Sequence, residues 1–325
     1  MGPSRTLATS ALVSAPAFAP VTACWICGGR RLSRYYESRM DFREYADQDP
    51  ELCAYTGEHV WFVRCAACGF GQPEQMPTLP RFFERMYDQH WSPDWVEREF
   101  AASYKDAIFA SILRRLDALV PKDRRRLLDI GAHAGRFMSM AQRAGWTVEG
   151  VELNPRTAAY AAKVTGAPVH RTGAETLAFE GRRYGAVVLT DVLEHIPAPA
   201  ALVRSVVRLL DAGGALAIKV PNGRAQFVKE RWLARLTSHR MSLAENLVHV
   251  NQFDPDSLAR VMADAGLRNV SVSTAAPERV GPEAPFVRRG ASRLVRGSIF
   301  AAASLPGAVR LPIALHLQAY GRKPA

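Results

Sequence analysis

The second half of the chain, from Arg126 onward, alternates short apolar segments with amphipathic ones. An apolar run of about four to eight residues is typical of a buried strand, and apolar positions three or four apart are typical of a helix. The predicted strands are LLDI, TVEGVEL, a short one near Val169, YGAVVLT and ALAIKV, with helices at residues 138–144, from Pro155 and in ALVRSVVRLL. This order predicts the α/β class, with a doubly wound, mainly parallel sheet and helices on both faces.

The segment LLDIGAHAGRF, residues 127–137, predicts a strand, a glycine-bounded turn and a helix. Gly131 allows the tight turn, and Gly135 lets the helix approach the strand or a ligand closely. Such a turn at the carboxyl end of a strand is typical of a nucleotide-type site. The next strand ends in Glu152, where a carboxylate can accept hydrogen bonds from ribose hydroxyls. Asp129 would repel a pyrophosphate but suits a cationic sulfonium amino acid, and the G-x-x-x-G spacing is not the dinucleotide pattern, so S-adenosylmethionine (SAM) is favoured over NAD.

Four of the five cysteines form two C-x-x-C-G motifs, Cys24 with Cys27 and Cys65 with Cys68, and Cys53 stands alone. Each motif is a candidate zinc knuckle, in which a tight turn directs two thiolates at one metal and backbone N–H groups bond to the sulfurs. Two knuckles supply the four ligands of a closed tetrahedral site. The 37 residues between the motifs exceed the usual spacing of about 15–20, so we expect an elaborated hairpin between them. A redox-active cysteine pair is the alternative.

Composition and pattern divide the chain into five parts. They are a disordered leader, a zinc-binding head, a helical connector, a SAM-binding domain and a C-terminal extension with a closing strand, at residues 1–22, 23–77, 78–121, 122–275 and 276–325. In the connector, we expect a short helix at 78–91 and one long helix whose apolar positions recur from Phe100 to Leu119. Residues 221–250 form a long segment between sheet elements, which predicts a substrate lid. The alternating ALHLQAYG predicts a strand at the edge of the sheet.

Composition and charge restrict the class of protein. Of the 325 residues, 48% are hydrophobic and 22% are charged, which is typical of a folded globular protein rather than a disordered one. The sequence contains no run of eighteen apolar residues, so it does not predict a transmembrane helix. The apolar part of the N-terminus is broken by Thr, Ser and Pro, which favours a leader over a signal peptide, and we expect a cytoplasmic protein. The net charge of +11 fits either a polyanionic partner or an Arg-rich proteome.

Five motifs in order resemble the class I SAM-dependent methyltransferase superfamily over residues 125–275. They are LLDIGAHAGRF, VELNP, YGAVVLTDVLEHIPAP, LLDAGGALAIKVPN and HVNQFDPDSLARVMADAGL. The paired C-x-x-C motifs ahead of them resemble the zinc-binding head of sugar C-methyltransferases and related small-molecule methyltransferases. The resemblance implies a Rossmann-like methyltransferase fold, SAM as cofactor and a structural Zn²⁺ in the head.

The resemblance also implies roles for individual cofactor-binding residues. The motif around Asp129, Gly131 and Gly135 corresponds to the one that surrounds the methionine part of SAM, and Glu152 corresponds to the ribose-binding acid. The segment TGAETLAF resembles the adenine-binding motif, with Gly173 where many relatives have Asp. Adenine would then be recognised mainly by backbone groups near Ala174 and Glu175.

A third group of residues resembles the part of the family site that lies beside the transferred methyl group. Glu194 and His195 match its Glu-His pair, and together with Asp191 they resemble the acid-x-x-Glu-His segment of ubiquinone O-methyltransferases, which can hold a divalent cation. We place Asp191 with the cofactor-binding residues and expect His195 to be the general base, since its unperturbed pKa lies near neutral pH. A structural role in capping the next turn is the alternative for His195. His249 is a second candidate catalytic residue.

The leading hypothesis is a SAM-dependent methyltransferase that acts on carbon or oxygen of a small molecule, such as a sugar, an isoprenoid or phenolic compound, or a natural-product intermediate. The alternative is a zinc-containing RNA-binding protein or RNA methyltransferase, based on the net charge, Arg124–Arg126 and the Arg-rich tail. Because no interleaving of aromatic and basic residues marks a base-stacking platform, nucleic acid is not the expected partner. A third hypothesis is that the Arg-rich, partly apolar stretch 286–313 contacts a membrane surface, and packing within the protein is its alternative. The sequence does not indicate an oligomeric state.

Overall fold

The architecture is that of a computed structural model, which describes residues 15–87, 94–237, 243, 245–278 and 286–325. The head contains an antiparallel three-stranded sheet and a two-stranded ribbon. Its elements are β1 Phe18–Pro20, β2 Leu32–Arg39, α1 Pro50–Cys53, β3 His59–Cys65, β4 Gly71–Pro73 and β5 Gln75–Pro77. The sheet has the order β2-β3-β4. Strands β2 and β3 form the hairpin that occupies the sequence between the two cysteine motifs.

The predicted disordered leader, residues 1–22, is wrong in its last part. Strand β1 pairs antiparallel with β5, and the Phe18 ring contacts Tyr55 edge to face at 5.4 Å. An aromatic contact and a strand pairing together order a segment whose Ala, Ser and Pro content predicts disorder. Residues 1–14 of the leader lie outside the described residues.

Three helices connect the head to the larger domain: α2 Phe82–Tyr87, α3 Trp95–Ala101 and α4 Asp106–Leu119. The prediction of one helix through Phe100 and Leu119 is wrong, because the chain is extended at Ala102, with a ψ of 123°, and leaves the helix there. The apolar face of α4 packs on the sheet as its spacing predicts. Of the short helix expected at 78–91, the described part is α2, and residues 88–91 lie outside it.

The larger domain is a seven-stranded sheet with helices on both faces, which confirms the predicted α/β class. Its strands are β6 Arg126–Ile130, β7 Thr147–Val151, β8 Val169–His170, β9 Tyr184–Thr190, β10 Leu210–Pro221, β11 Arg268–Thr274 and β12 His316–Arg322. Its helices are α5 Arg136–Arg143, α6 Pro155–Thr165, α7 Ala174–Phe179, α8 Pro199–Arg208, α9 Gly223–Leu236, α10 Pro255–Asp264 and α11 Phe286–Ala303. Residues of α4 and α5 pack on one face, and residues of α8 and α10 pack on the other.

The strand order β11-β12-β10-β9-β6-β7-β8 corrects one prediction. Strand β12 lies between β10 and β11 and is antiparallel to both, so it is not at the edge of the sheet. An alternating pattern predicts a strand but does not specify its neighbours. Within the predicted C-terminal extension, the expected closing strand is therefore a central strand of the sheet. Strands β6, β7, β9 and β10 are parallel, so their carboxyl ends lie on one rim.

Two predicted surface segments remain predictions. Helix α9 occupies the first half of the predicted lid, residues 221–250, and residues 238–242 and 244 lie outside the described part of the chain. In the stretch predicted to contact a membrane, Leu294, Leu305 and Leu311 are exposed. No helix within the described residues is long and apolar enough to span a membrane.

Candidate active site and metal centre

The glycine turn lies at the carboxyl end of β6, and two of its positions require glycine. Gly131 and Gly135 have φ of +77° and +82°, in the left-handed region that side chains disfavour. A Cβ atom at Gly131 would lie 2.3 Å from Cγ2 of Val192, and one at Gly135 would lie 3.0 Å from Cα of Ala161. The turn is therefore packed directly against the segment that follows β9 and against helix α6.

Two carboxyl groups flank this turn. Asp129, on β6, is 3% exposed, and burial, followed by repulsion from Glu152, raises the pKa of Asp129 to about 7. Glu152 follows β7 and accepts hydrogen bonds from the backbone N–H groups of His133 (2.8 Å) and Asn154 (2.9 Å). Carboxylate oxygens have further lone pairs, so Glu152 can orient the turn and also accept from a ligand hydroxyl.

The connector covers the same turn, which sequence analysis did not predict. The Trp95 ring meets His133 edge to face at 5.1 Å. Arg136, the first residue of α5, pairs with Asp106 at 2.6 Å and donates to the Phe100 carbonyl at 3.0 Å. Helix α3 and the start of α4 therefore lie against the glycine turn.

Asp191 follows β9 and forms ion pairs with two lysines. One oxygen accepts from Lys105 at 2.7 Å and the other from Lys219 at 2.5 Å. Burial alone would raise the pKa of Asp191, but the two ammonium groups hold it well below its usual range. Lys219 is 1% exposed and also lies 3.5 Å from Glu278. The cofactor-binding role of Asp191 stays a prediction, and the observed partners of its carboxylate are these lysines.

Glu194, His195 and His249 come together on the rim of the sheet. One ligand-type atom from each residue lies within 4.8 Å of the other two, and the two imidazole rings are 4.8 Å apart. Glu194 is 1% exposed, and neither of its carboxyl oxygens has a hydrogen-bond partner among the described residues. Burial, followed by repulsion from Asp191, raises the pKa of Glu194 well above its usual value.

The protonation of His195 follows from its neighbour. Its Nδ1 lies 2.6 Å from the Val248 carbonyl oxygen, and a carbonyl only accepts hydrogen bonds. Nδ1 therefore carries the proton, and Nε2 carries the lone pair. Burial lowers the pKa of His195, and it lowers the pKa of His249 to about 4, so both rings are neutral at pH 7. The cluster can accept a proton at Nε2 of His195 or bind a cation through the same atom, but not both at once.

The four cysteines of the head converge as the sequence predicts. Cys24 and Cys68 sulfurs are 3.6 Å apart, as are those of Cys27 and Cys65, and all four lie within 4.8 Å of one another. Zn–S bonds of about 2.3 Å place sulfurs about 3.8 Å apart in a tetrahedron, so the cluster fits one zinc ion. The backbone N–H groups at Gly29 and Phe70 bond to the sulfurs of Cys27 and Cys68. Cys53 lies outside the cluster.

A cleft of about 860 Å³ separates the head from the segment before α10. The head contributes Asp41, Arg43 and Glu44, and the other wall includes Glu245 and His249. Arg43 forms an ion pair with Asp41, so the carboxylates of Glu44 and Glu245 give the lining its excess negative charge. Because His249 belongs to both the cleft and the rim cluster, the cleft opens beside His195.

Comparison with known proteins identifies the family. A family model described as a methyltransferase domain matches residues 100–272, more than half of the chain. The chain belongs to this methyltransferase family. Membership confirms the predicted resemblance to class I SAM-dependent methyltransferases.

Several individual proteins are similar to this methyltransferase. Ubiquinone biosynthesis O-methyltransferase of Cereibacter sphaeroides is 29% identical over 154 residues, which cover 41% of this chain and 59% of the relative. The protein of that name from Paracidovorax citrulli is 31% identical over 118 residues, covering 34% and 50%. The chain therefore spans between half and three-fifths of these curated relatives. A solved SAM-dependent methyltransferase from Archaeoglobus fulgidus is 16% identical with a TM-score of 0.47, covering 70% of this chain and 97% of that one.

Some site residues of this methyltransferase are missing from the predicted set, and others stay predictions. Lys219 could have been noticed as a lysine inside the apolar strand ALAIKV, since a buried lysine needs an anionic partner. Lys105, on the connector, carries no comparable signal. Ala174 begins α7 and is buried, and Glu175 is exposed, so their predicted contact with adenine stays a prediction.

Proposed function

We propose that the protein is a SAM-dependent methyltransferase that transfers a methyl group to a hydroxyl oxygen of a small molecule. The observation that carries the proposal is the glycine turn, with Asp129 and Glu152 beside it, on the same rim as the neutral His195. The choice of oxygen over carbon draws on the relatives named ubiquinone biosynthesis O-methyltransferase.

The residues around the turn suit a cationic amino-acid donor. Asp129 is buried with a pKa of about 7, so a bound cation would favour its ionised form. Glu152 would accept hydrogen bonds from the ribose hydroxyls, and Gly131 and Gly135 allow the tight turn, packed against Val192 and Ala161, that forms this part of the site. SAM supplies a methyl group on a positively charged sulfur, so the protein need only position an acceptor and remove its proton.

His195 would act as the general base through Nε2. As the acceptor oxygen forms its bond to the methyl carbon, the S–C bond breaks, and its electron pair stays on sulfur to give neutral S-adenosylhomocysteine (SAH). The hydroxyl proton passes to Nε2, while the Val248 carbonyl holds the Nδ1 proton and stabilises the imidazolium that forms. Glu194 lies within the same cluster and would balance that charge when ionised.

The acceptor would occupy the cleft between the head and residues 243–249. His249 would contact it there, next to His195. Beside the Arg43–Asp41 ion pair, Glu44 and Glu245 line this cleft and would repel phosphates, so the lining favours an uncharged or cationic small molecule over RNA. We propose zinc for the four cysteines, as a structural ion that holds the head in the shape of this wall.

Calorimetric titration with SAH tests the cofactor site. Wild-type protein is expected to bind SAH, and Asp129→Asn and Glu152→Gln are each expected to weaken binding by about 10- to 100-fold, because hydrogen bonds to charged groups contribute about 1.5–3 kcal/mol. Glu149→Gln is the matched control, since Glu149 lies on β7 but contacts His170 and Tyr184 instead of the turn. Absence of SAH binding, with NAD bound instead, would refute the proposal.

A divalent cation at Glu194, His195 and His249 is the second proposal for the rim cluster. It is favoured by the buried Glu194 carboxyl group, which has no hydrogen-bond partner among the described residues. We expect a cation site to bind one Mn²⁺ per chain by calorimetry and to lose it in Glu194→Gln but not in Glu149→Gln. If millimolar Mn²⁺ gives no binding heat in the wild type, the cation proposal is refuted, and the general-base proposal for His195 is unaffected.

A further inference from the structure

Residues 248–254 lie between the cysteine cluster and His195. On the side of the head, Gly71 and Gln252 exchange two backbone hydrogen bonds, of 3.0 and 2.8 Å. A Cβ atom at Gly71 would lie 2.8 Å from Cβ of Gln252, so the two backbones are in close contact. Phe70 and Phe253 add a ring contact at 5.0 Å. Because Cys68 is two residues before Phe70, the second cysteine knuckle packs directly on this segment.

The other side of the segment holds the turn that carries His195. Asn251 is 2% exposed, and its Nδ2 donates to the carbonyl oxygens of Leu193 (2.7 Å) and Ile196 (2.6 Å). Its backbone N–H donates to the Glu194 carbonyl at 3.0 Å. Since carbonyls only accept, the amide nitrogen must face them, which excludes the flipped assignment of the side chain.

The same segment also fixes the imidazole ring, because Val248 supplies the carbonyl that accepts from Nδ1 of His195. Two contacts from this segment thus set the geometry of His195. Asn251 holds the backbone of its turn from both flanks, and Val248 selects its tautomer and ring orientation. Both contacts depend on where residues 248–254 lie.

We propose that Asn251 is a positioning residue for His195 and that residues 248–254 couple the cysteine cluster to the orientation of its imidazole. The proposal rests on the proposed role of His195 as the base. A displacement of about 1 Å from a mutation away from the reacting atoms can lower the rate by about 10²-fold. A change at Asn251 is expected to lower the rate in this way without altering the proposed SAM site, since Asn251 contacts Leu193, Glu194 and Ile196.

The test is ¹⁵N-histidine NMR of the full chain, with the Nδ1–H resonance of His195 assigned by its loss in His195→Gln. Asn251→Asp keeps the size of the side chain but replaces both donors by a carboxylate, and Asn251→Ala removes them without adding charge. We expect either variant to lose or broaden the resonance. With an acceptor that the wild type methylates, turnover should fall by about 10²-fold while SAH affinity stays within about twofold.

Ser257→Ala is the matched control. Ser257 is fully buried and forms the capping box of α10 with Asp254, the last residue of the same segment, but its hydrogen bonds do not reach Val248, Asn251 or the turn of His195. It should retain the resonance even where the melting temperature falls. Retention of the resonance in both Asn251 variants would refute the positioning role. Loss of the resonance in Ser257→Ala would assign the effect to general destabilisation and refute it equally.

The coupling between the cysteine cluster and His195 is tested by comparing two cysteine variants. Cys68→Ser, which breaks the cluster next to Gly71, is expected to lose the His195 resonance, and Cys53→Ser is expected to keep it. Retention in Cys68→Ser would refute the coupling. These outcomes are independent of the cofactor, because the resonance reports the hydrogen bond to Val248 and SAH binding is measured separately by calorimetry on the wild type.

Discussion

In a Cys65→Ser variant, the head is expected to lose the proposed zinc ion and to unfold. Cys65 is 2% exposed and its sulfur lies 3.6 Å from that of Cys27, so the serine would leave three thiolates and a weak oxygen ligand in a buried site. Structural zinc contributes about 10–16 kcal/mol to folding in isolated finger peptides. The loss of this contribution is expected to exceed what the apolar core of the head, which includes Phe42, Leu52 and Phe62, can offset.

Metal content by mass spectrometry and thermal unfolding followed by circular dichroism measure this result. We expect one zinc ion per wild-type chain and none per Cys65→Ser chain, together with an early melting step from the head. Cys53→Ser is the matched control, because Cys53 is a partly buried cysteine outside the cluster. A wild-type protein purified without chelators that contains no zinc would contradict the zinc proposal.

His195→Ala is expected to lower turnover by about 10²- to 10⁴-fold, the usual contribution of a positioned general base. The affinity for SAH should be unchanged, because no described contact joins His195 to Asp129 or Glu152. Turnover is measured as SAH released with an acceptor that the wild type methylates. His59→Ala is the control, since the His59 side chain is 48% exposed on the head.

The pH dependence of turnover by the wild type is a second test of His195 as the base. Burial lowers the pKa of His195 below its ordinary 6.5, so the base form is present at neutral pH and is lost only as the pH falls through that lowered pKa. Measured for the acceptor at saturating SAM, which would hold Asp129 in its ionised form, the acid limb of kcat/KM should therefore lie below pH 6.5 and disappear in His195→Ala. Equal loss of turnover and SAH affinity in this variant would instead assign His195 a structural role.

The elements that could be predicted from the sequence are those in which local pattern and burial agree. Strand β9 is a continuous apolar run because both of its faces are covered, and Val187, Val188 and Leu189 are fully buried. The glycines of the turn are identifiable because no other residue type fits a positive φ beside Val192 and Ala161. The cysteine cluster was predictable because two C-x-x-C motifs have few other uses.

The features that could not be predicted depend on contacts between distant parts of the chain. The break at Ala102 interrupts an apolar stripe that continues through it, so periodicity alone extends the helix. Asp191 has the position of a ligand-binding acid, but its partners Lys105 and Lys219 come from the connector and from β10. Asn251 lies in a polar segment like many others, and only its distances to Leu193 and Ile196 indicate a role.

The position of β12 has a consequence for the association of this domain with other chains. Strand β12 pairs with β10 on one side and with β11 on the other. If β12 left the sheet, β10 and β11 would each present an unpaired edge, and an unpaired strand edge is a template for pairing with another chain. Detachment of this single strand is therefore expected to expose two sites of self-association at once.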